Sequence, residues 1–179
     1  LTVFVALDAA VKFSVLKLVN RSDRPRRVSA TGYVEWVLGD LRTKSAMHVT
    51  TEVDAKSGAM YARNSFNSEF AEWIGFFDVD DPARTVTGDR TEFIGRNRTW
   101  RNPVALRRTR LSGRVGAAID PCAAMQVTVD LAPEQEREIV FRLGAANSLT
   151  AANALVQRFR GVAIAHEALE AVMQHWRHT

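Results

Sequence analysis

Few of the residue types that carry chemistry stand at spacings that would let them work together. Asp78-Val79-Asp80-Asp81 has the Asp-x-Asp spacing with which hard carboxylates can hold a divalent ion. It runs directly into Pro82, however, and Asp-Asp-Pro reads first as a turn. Glu69 with Glu72, or Glu35 with another acid, could be offered as a pair of carboxyls flanking a glycosidic bond. That chemistry needs a defined separation across a sugar, which spacing in sequence does not supply, so all three read as exposed strand or loop acids. Cys122 follows Pro121 in apolar surroundings and reads as a buried small thiol rather than a nucleophile. His175 and His178, three apart, could share a helix face, but no third ligand accompanies them. The sequence has no glycine-rich phosphate loop, no Gly-x-Ser-x-Gly and no His-Glu-x-x-His. The expectation is no catalytic residue, no metal and no cofactor within this chain.

Aromatic side chains are the other candidates for contact. Trp36 alternates with Val34 and Leu38 and so belongs to a core face, whereas Tyr33 points the other way and Trp100 lies in an arginine-rich stretch. Asn20-Arg21-Ser22 and Asn97-Arg98-Thr99 match the glycosylation sequon, which carries no weight without a secretion signal.

The elements that must position these residues fit in 179 residues, about one domain on a prior of roughly 100–200 residues. With 46% hydrophobic and 25% charged residues the chain is globular, neither disordered nor collagen-like. No apolar run approaches the ~18–20 residues of a membrane span, and a single cysteine excludes an internal disulfide. The chain opens on Leu1 without a methionine or a signal core, and is expected to be a piece of a longer polypeptide. Its net charge of +4 comes from 24 basic residues, of which all but Lys12, Lys17, Lys44 and Lys56 are arginine. Arginine binds carboxylates and phosphates through a planar fork. These arginines are scattered over strands and loops rather than gathered on one face, which argues against a nucleic-acid partner.

Residues 1–145 read as strands. Val11, Phe13 and Val15 alternate with Lys12 and Ser14, although Leu16 and Leu18 blur the pattern. After the turn at Asn20–Pro25, Val28, Ala30, Gly32, Val34, Trp36 and Leu38 share one face over a long period-two run. Residues 48–53 and 59–63 flank Asp54-Ala55-Lys56-Ser57-Gly58 as a hairpin, and 73–79 forms a further apolar run. From Arg84 to Arg114, nine arginines stand against only Asp89 and Glu92, and the stretch reads as long loops with one or two short strands. Residues 123–131 and 136–143 are expected to close as a last hairpin about Ala132-Pro133-Glu134-Gln135. Two helices follow, over 150–160 and 164–177, separated by Gly161. The second carries Ala165, Leu169, Val172, Met173 and Trp176 on one stripe, read as core packing. Consecutive strands joined by turns predict an all-β fold, an antiparallel two-sheet β-sandwich with a short C-terminal helical tail.

Several segments, taken in order, resemble a known family. They are Asn20–Arg27, Tyr33-Val34-Glu35-Trp36-Val37-Leu38, Thr87–Asn97, Arg101-Asn102-Pro103 and Leu111–Gly116, leading to Asp120-Pro121 and Leu131-Ala132-Pro133. Together they resemble the N-terminal β-sandwich of inverting disaccharide phosphorylases of glycoside hydrolase family 94, and most of all the phosphorylase-like region of cyclic β-1,2-glucan synthases. The resemblance covers essentially the whole chain. It implies a large super-sandwich of the galactose-mutarotase-like kind over 1–145, and a helical linker over 146–179 leading to an (α/α)6 barrel. In the family that barrel carries the general acid, and phosphate itself attacks the anomeric carbon, so no catalytic residue transfers to this chain. The implied partners are the barrel of the same polypeptide and, through it, a β-glucan oligosaccharide and phosphate; a homodimer is left open. The implied location is the cytosolic face of a bacterial inner membrane, as part of a larger membrane protein, or the cytoplasm. A stand-alone carbohydrate-binding module is the alternative. Arg90, Arg96 and Trp100 are the candidates for substrate contact, with Arg90, Glu92 and Arg96 otherwise expected to form a local ion network.

Overall fold

The computed structural model describes residues 1–66 and 69–177; His178 lies outside them. Two antiparallel sheets face each other. The larger has the order β1-β2-β9-β6-β5-β4, built from β1 (Thr2–Val5), β2 (Val11–Val19), β9 (Glu136–Ala146), β6 (Ile74–Val79), β5 (Met60–Asn64) and β4 (Val49–Val53). The smaller has the order β3-β8-β7, from β3 (Arg26–Glu35), β8 (Pro121–Leu131) and β7 (Thr85–Asp89). Four α-helices are described: α1 (Arg42–Ser45), α2 (Arg90–Ile94), α3 (Leu149–Arg158) and α4 (Val162–Arg177).

The blurred alternation of β2 has a simple cause. Val11, Phe13 and Val15 pack beneath the C-terminal helices, while Leu16 and Leu18 pack into the core between the sheets. The larger sheet is thus covered on both faces, as its near-continuous apolar strand β6 also requires. The two sheets approach closely at β3. A Cβ on Gly32 would fall 2.5 Å from the Phe141 ring and 2.7 Å from that of Phe77, so no larger residue fits there.

The expected last hairpin does not form. Residues 121–131 and 136–146 belong to different sheets, β8 pairing with β3 and β7, and β9 with β2 and β6. Ala123, Met125, Val127, Val129 and Leu131 of β8 face Ile139 and Phe141 of β9 across one core. Paired neighbours in a single sheet could not oppose their apolar rows in this way. Asn20 fixes the crossing. Its buried amide donates to the carbonyls of Leu131 and Ala132 at 3.0 Å each, and the Glu134 N–H donates to its backbone oxygen.

Ser148 caps α3 by accepting from the Ala151 N–H at 3.2 Å. Gly161, at φ 106°, then breaks the path where an L side chain would be strained. On α4, Ala165 is buried and Leu169 and Val172 pack on the same core, but Met173 and Trp176 are exposed. The stripe read as continuous core is therefore buried only in its first half. α4 runs on past the sheet and presents its last apolar residues to solvent.

Candidate functional site

The residues between β7 and β8 do not wander as loops. They fold back over the outer face of the smaller sheet, where Phe93, Ile94, Ala105 and Leu111 bury themselves against Ala124. The Tyr33 ring stacks on Phe93 with centroids 4.9 Å apart, so the face opposite Trp36 is occupied by the protein's own lobe. Trp36 itself is 4% exposed, as its alternation predicts.

Four carboxylates hold the base of this lobe. Asp89 caps α2, accepting from the Thr91 and Glu92 N–H groups, and pairs with Arg114 at 2.7 Å. Glu92 accepts from Thr87 Oγ1 and Ser112 Oγ at 2.5 Å each and pairs with Arg108 at 2.7 Å. Asp120 and Glu35 share two arginines: Arg90 reaches Glu35 at 2.8 Å and Asp120 at 3.5 Å, while Arg42 reaches Glu35 at 3.2 Å and also binds Asp120. Tyr33 donates to Glu35 at 2.7 Å. Burial by itself would raise the Glu35 carboxyl, but the hydrogen bonds from Arg90 and Tyr33 and the charges of Arg90 and Arg42 outweigh it and hold it below its ordinary value. The Tyr33 hydroxyl is pushed up, first by burial and then by its bond to Glu35.

The local network expected of Arg90, Glu92 and Arg96 is therefore divided. Arg90 and Glu92 serve different clusters, because α2 turns successive side chains to different sides. Arg96 is exposed and joins no ion pair among the described residues. Trp100 is 70% exposed, with the Arg101 guanidinium 5.2 Å above its ring. Leu106, six residues further along the chain, is also exposed. Of the three contact candidates, then, Arg90 is committed to the base of the lobe, and Arg96 and Trp100 stand on its surface.

The Asp78–Asp81 segment proves to be more than a turn. Asp81 does turn the chain, accepting from the Ala83 N–H at 2.8 Å. Asp78 and Asp80 instead grip Arg142, which is 0% exposed and pairs with Asp78 at 2.5 Å and with Asp80. Arg142 also donates to the Phe159 carbonyl at 2.5 Å, and the Gly161 N–H donates to Asp80 at 2.6 Å. The sheet is thereby clasped to the joint between α3 and α4. Burial pushes the Asp78 carboxyl up, against the opposing charges of Arg142 and Arg160. Nothing in the sequence signalled this, since Arg142 lies inside a strand pattern 62 residues from Asp80.

Cys122 is fully buried, and burial raises its thiol far from the thiolate range. A proton donor for glycoside cleavage must hold its proton near neutral pH and face a sugar. Glu35, Glu92, Asp89 and Asp120 are all engaged by arginine, and the Glu35 carboxyl is held below its ordinary value. What this lobe can offer is a rigid, cationic and aromatic surface.

The sequence model of the glycosyl hydrolase 94 supersandwich domain matches residues 1–162. The chain is 30% identical to the cyclic β-(1,2)-glucan synthase NdvB of Rhizobium meliloti (strain 1021), over 90% of this chain and 6% of that protein. It is 24% identical to the N,N'-diacetylchitobiose phosphorylase of Vibrio furnissii over 98% of this chain and 22% of that protein. For the corresponding Vibrio proteolyticus enzyme the identity is 23%, over 94% of this chain and 21% of the relative. The chain thus spans less than a quarter of the length of each of these relatives.

Proposed function

Because the chain belongs to the glycosyl hydrolase 94 supersandwich family, we propose that it is the non-catalytic sandwich of a cyclic β-1,2-glucan synthase or a related glycoside phosphorylase. Residues 1–145 form the supporting sandwich and 146–179 the helical link to a catalytic (α/α)6 barrel. The barrel makes or breaks β-glucosidic bonds with phosphate. The lobe over 90–114 lies against it, and Arg96 and Trp100 are the side chains that reach the barrel or the glucan it holds. One observation carries this reading: the carboxylates at the lobe's base are spent on arginines, while its exposed surface offers Trp100, Leu106 and an Arg96 that joins no ion pair among the described residues. No helix among the described residues is long and apolar enough to cross a membrane, which is compatible with a cytosolic position beside any membrane part of the parent protein.

Release of glucose 1-phosphate from β-1,2-glucan oligosaccharides and phosphate tests the reading. The chain alone is expected to be silent and a polypeptide continuing through the barrel to be active; activity in the chain alone overturns it. The exposed Trp100 with Arg101 above it also suits a sugar-stacking platform. Saturable binding of glucan oligosaccharides to the chain alone, abolished by Trp100→Ala, would favour a stand-alone carbohydrate-binding module.

A further inference from the structure

A cleft of about 520 Å³ opens between residues 39–48 and the end of β5, and no residue of the 90–114 lobe lines it. That volume falls within the roughly 300–1,000 Å³ of small-molecule sites. Phe66 forms an aromatic wall of the cleft and is 76% exposed. One face of its ring lies flat on His48, with centroids 4.1 Å apart and the planes within 10° of parallel. The other face is left to solvent. Asp40 and Lys44 border the same cleft, and their side chains make no ion pair or hydrogen bond among the described residues. Leu41, Met47, Phe70 and Trp73, in the two segments that form its walls, are exposed as well, and so many large apolar side chains at a surface mark a place of contact.

The walls are held in place by specific bonds. Buried Asn64 accepts from the Phe66 N–H at 3.1 Å and donates to the Leu38 carbonyl at 2.9 Å, which joins one wall to the other. Leu38 takes a left-handed φ of 42°, a conformation that side chains avoid. Gly39 follows it in a tight place, where a Cβ would stand 3.1 Å from that of Ser45. Arg42, between Asp40 and Lys44 in the chain, pairs with Glu35 at 3.2 Å and with Asp120, and so pins this wall to the frame. A strained backbone persists where its surroundings over-determine it, and such places cluster at binding sites.

We propose that this cleft is a saccharide site, which holds a hexose unit of a neutral β-linked glucan chain on the free face of Phe66. A pyranose has an apolar C–H face that stacks on an aromatic ring, and a rim of hydroxyls that both donate and accept. Asp40 accepts from such hydroxyls and Lys44 donates to them. A carboxylate close to an ammonium opposes anionic and cationic ligands alike, whereas a neutral polyol uses both. The Phe66 ring is already immobilised on His48, so little freedom is lost on binding. That the saccharide is a glucan rests on the function proposed above; the geometry of the cleft does not. A chain held here is tethered to the enzyme and meets the barrel at a raised local concentration.

Titration of the 179-residue chain with linear β-1,2-glucan oligosaccharides, followed by the aromatic NMR signals of His48 and Phe66, tests the proposal. Saturable binding is expected, with a dissociation constant that rises about tenfold in Phe66→Ala and rises also in Asp40→Ala. Trp176→Ser, on the exposed end of α4, should leave it unchanged. Phe66 and Asp40 are exposed, so both variants should keep the parent's midpoint in urea unfolding. Absence of saturable binding overturns the proposal and leaves the Phe66 face to a protein surface. Binding that is lost in Trp100→Ala but kept in Phe66→Ala and Asp40→Ala overturns it equally and moves the sugar to the lobe. No barrel takes part in this titration, so its failure leaves the proposed function to stand or fall on glucose 1-phosphate release.

Discussion

Replacing Arg142 by methionine should cost more stability than almost any other single change in this chain. Arg142 is 0% exposed, and so is Asp78, the carboxylate it pairs with at 2.5 Å. The substitution conserves much of the side-chain volume, so its effect is chiefly electrostatic. Removing one partner of a buried pair leaves the other charge uncompensated, at a cost of about 3–5 kcal/mol. It also frees the Phe159 carbonyl, which accepts from Arg142 at 2.5 Å. Arg160, 3.6 Å from Asp78, compensates in part, which places the expectation in the lower half of that range. For a chain of this size each kcal/mol moves the midpoint by roughly 2–4 °C, so a fall of roughly 6–15 °C is expected. Burial already pushes the Asp78 carboxyl up, and without Arg142 it should rise further. A group whose folded pKa is raised lends stability at low pH and loses it as pH rises through that pKa, so the deficit of the variant should shrink on acidification. The companion variant Arg142→Met, Asp78→Asn removes the stranded charge and should recover more than half of the loss. Urea unfolding at neutral and at mildly acidic pH measures all three quantities. A loss under about 1 kcal/mol in the single variant, the level of an exposed pair, would refute the argument that this clasp is a structural ion cluster.

Other positions give sharper local tests. Asn20→Ala removes an amide whose two N–H hydrogens are shared among the carbonyls of Arg24, Leu131 and Ala132 and whose oxygen accepts from the Ser22 N–H; at about 1 kcal/mol net for each bond, a loss of about 2–3 kcal/mol is expected in urea unfolding. Gly144→Ala would place a Cβ 2.4 Å from the Phe76 ring and 2.7 Å from the Ala10 carbonyl, and should cost about 1–3 kcal/mol by overpacking, read as a lower unfolding midpoint. The Glu35 carboxyl is held below its ordinary 4.5 by Arg90 and Tyr33 against the opposing effect of burial. It therefore lends stability that is present above 4.5 and is lost as pH falls through its folded value; Glu35→Gln should flatten that part of the stability profile. Trp100→Ala, at a site 70% exposed, should leave stability within about 0.5 kcal/mol while lowering kcat/KM in a polypeptide that includes the barrel.

Strand positions and the sandwich class were readable because apolar alternation is local. β2 carries the alternation of Val11, Phe13 and Val15 expected of it, and the hairpin of β4 and β5 follows from the Asp54–Gly58 turn, where Asp54 accepts from the Ser57 N–H at 2.6 Å. What was not local could not be read. The β8–β9 connection looks like a hairpin because both strands carry one apolar row each, and period-two patterning is identical whether two strands pair or face one another. The deciding contact is Asn20 to Leu131, made across 111 residues. The arginine-rich stretch gave the composition of the candidate site but not its partition. Glu35, Arg42, Arg90 and Asp120 come from four separate segments, and charge in sequence does not say which arginine is spent and which stays free.

The central claim is that this domain supports catalysis without supplying a reacting group. Its most direct test is the rate of glucose 1-phosphate release by a polypeptide containing both sandwich and barrel, carrying in turn Glu35→Gln, Glu69→Gln and Glu72→Gln. Loss of a general acid costs about 10²–10⁴ in rate. The account predicts that each variant keeps kcat within about tenfold of its parent, far short of that loss. A fall of about a hundredfold or more in any one of them, with folding intact, would place the proton donor in this domain and contradict the account.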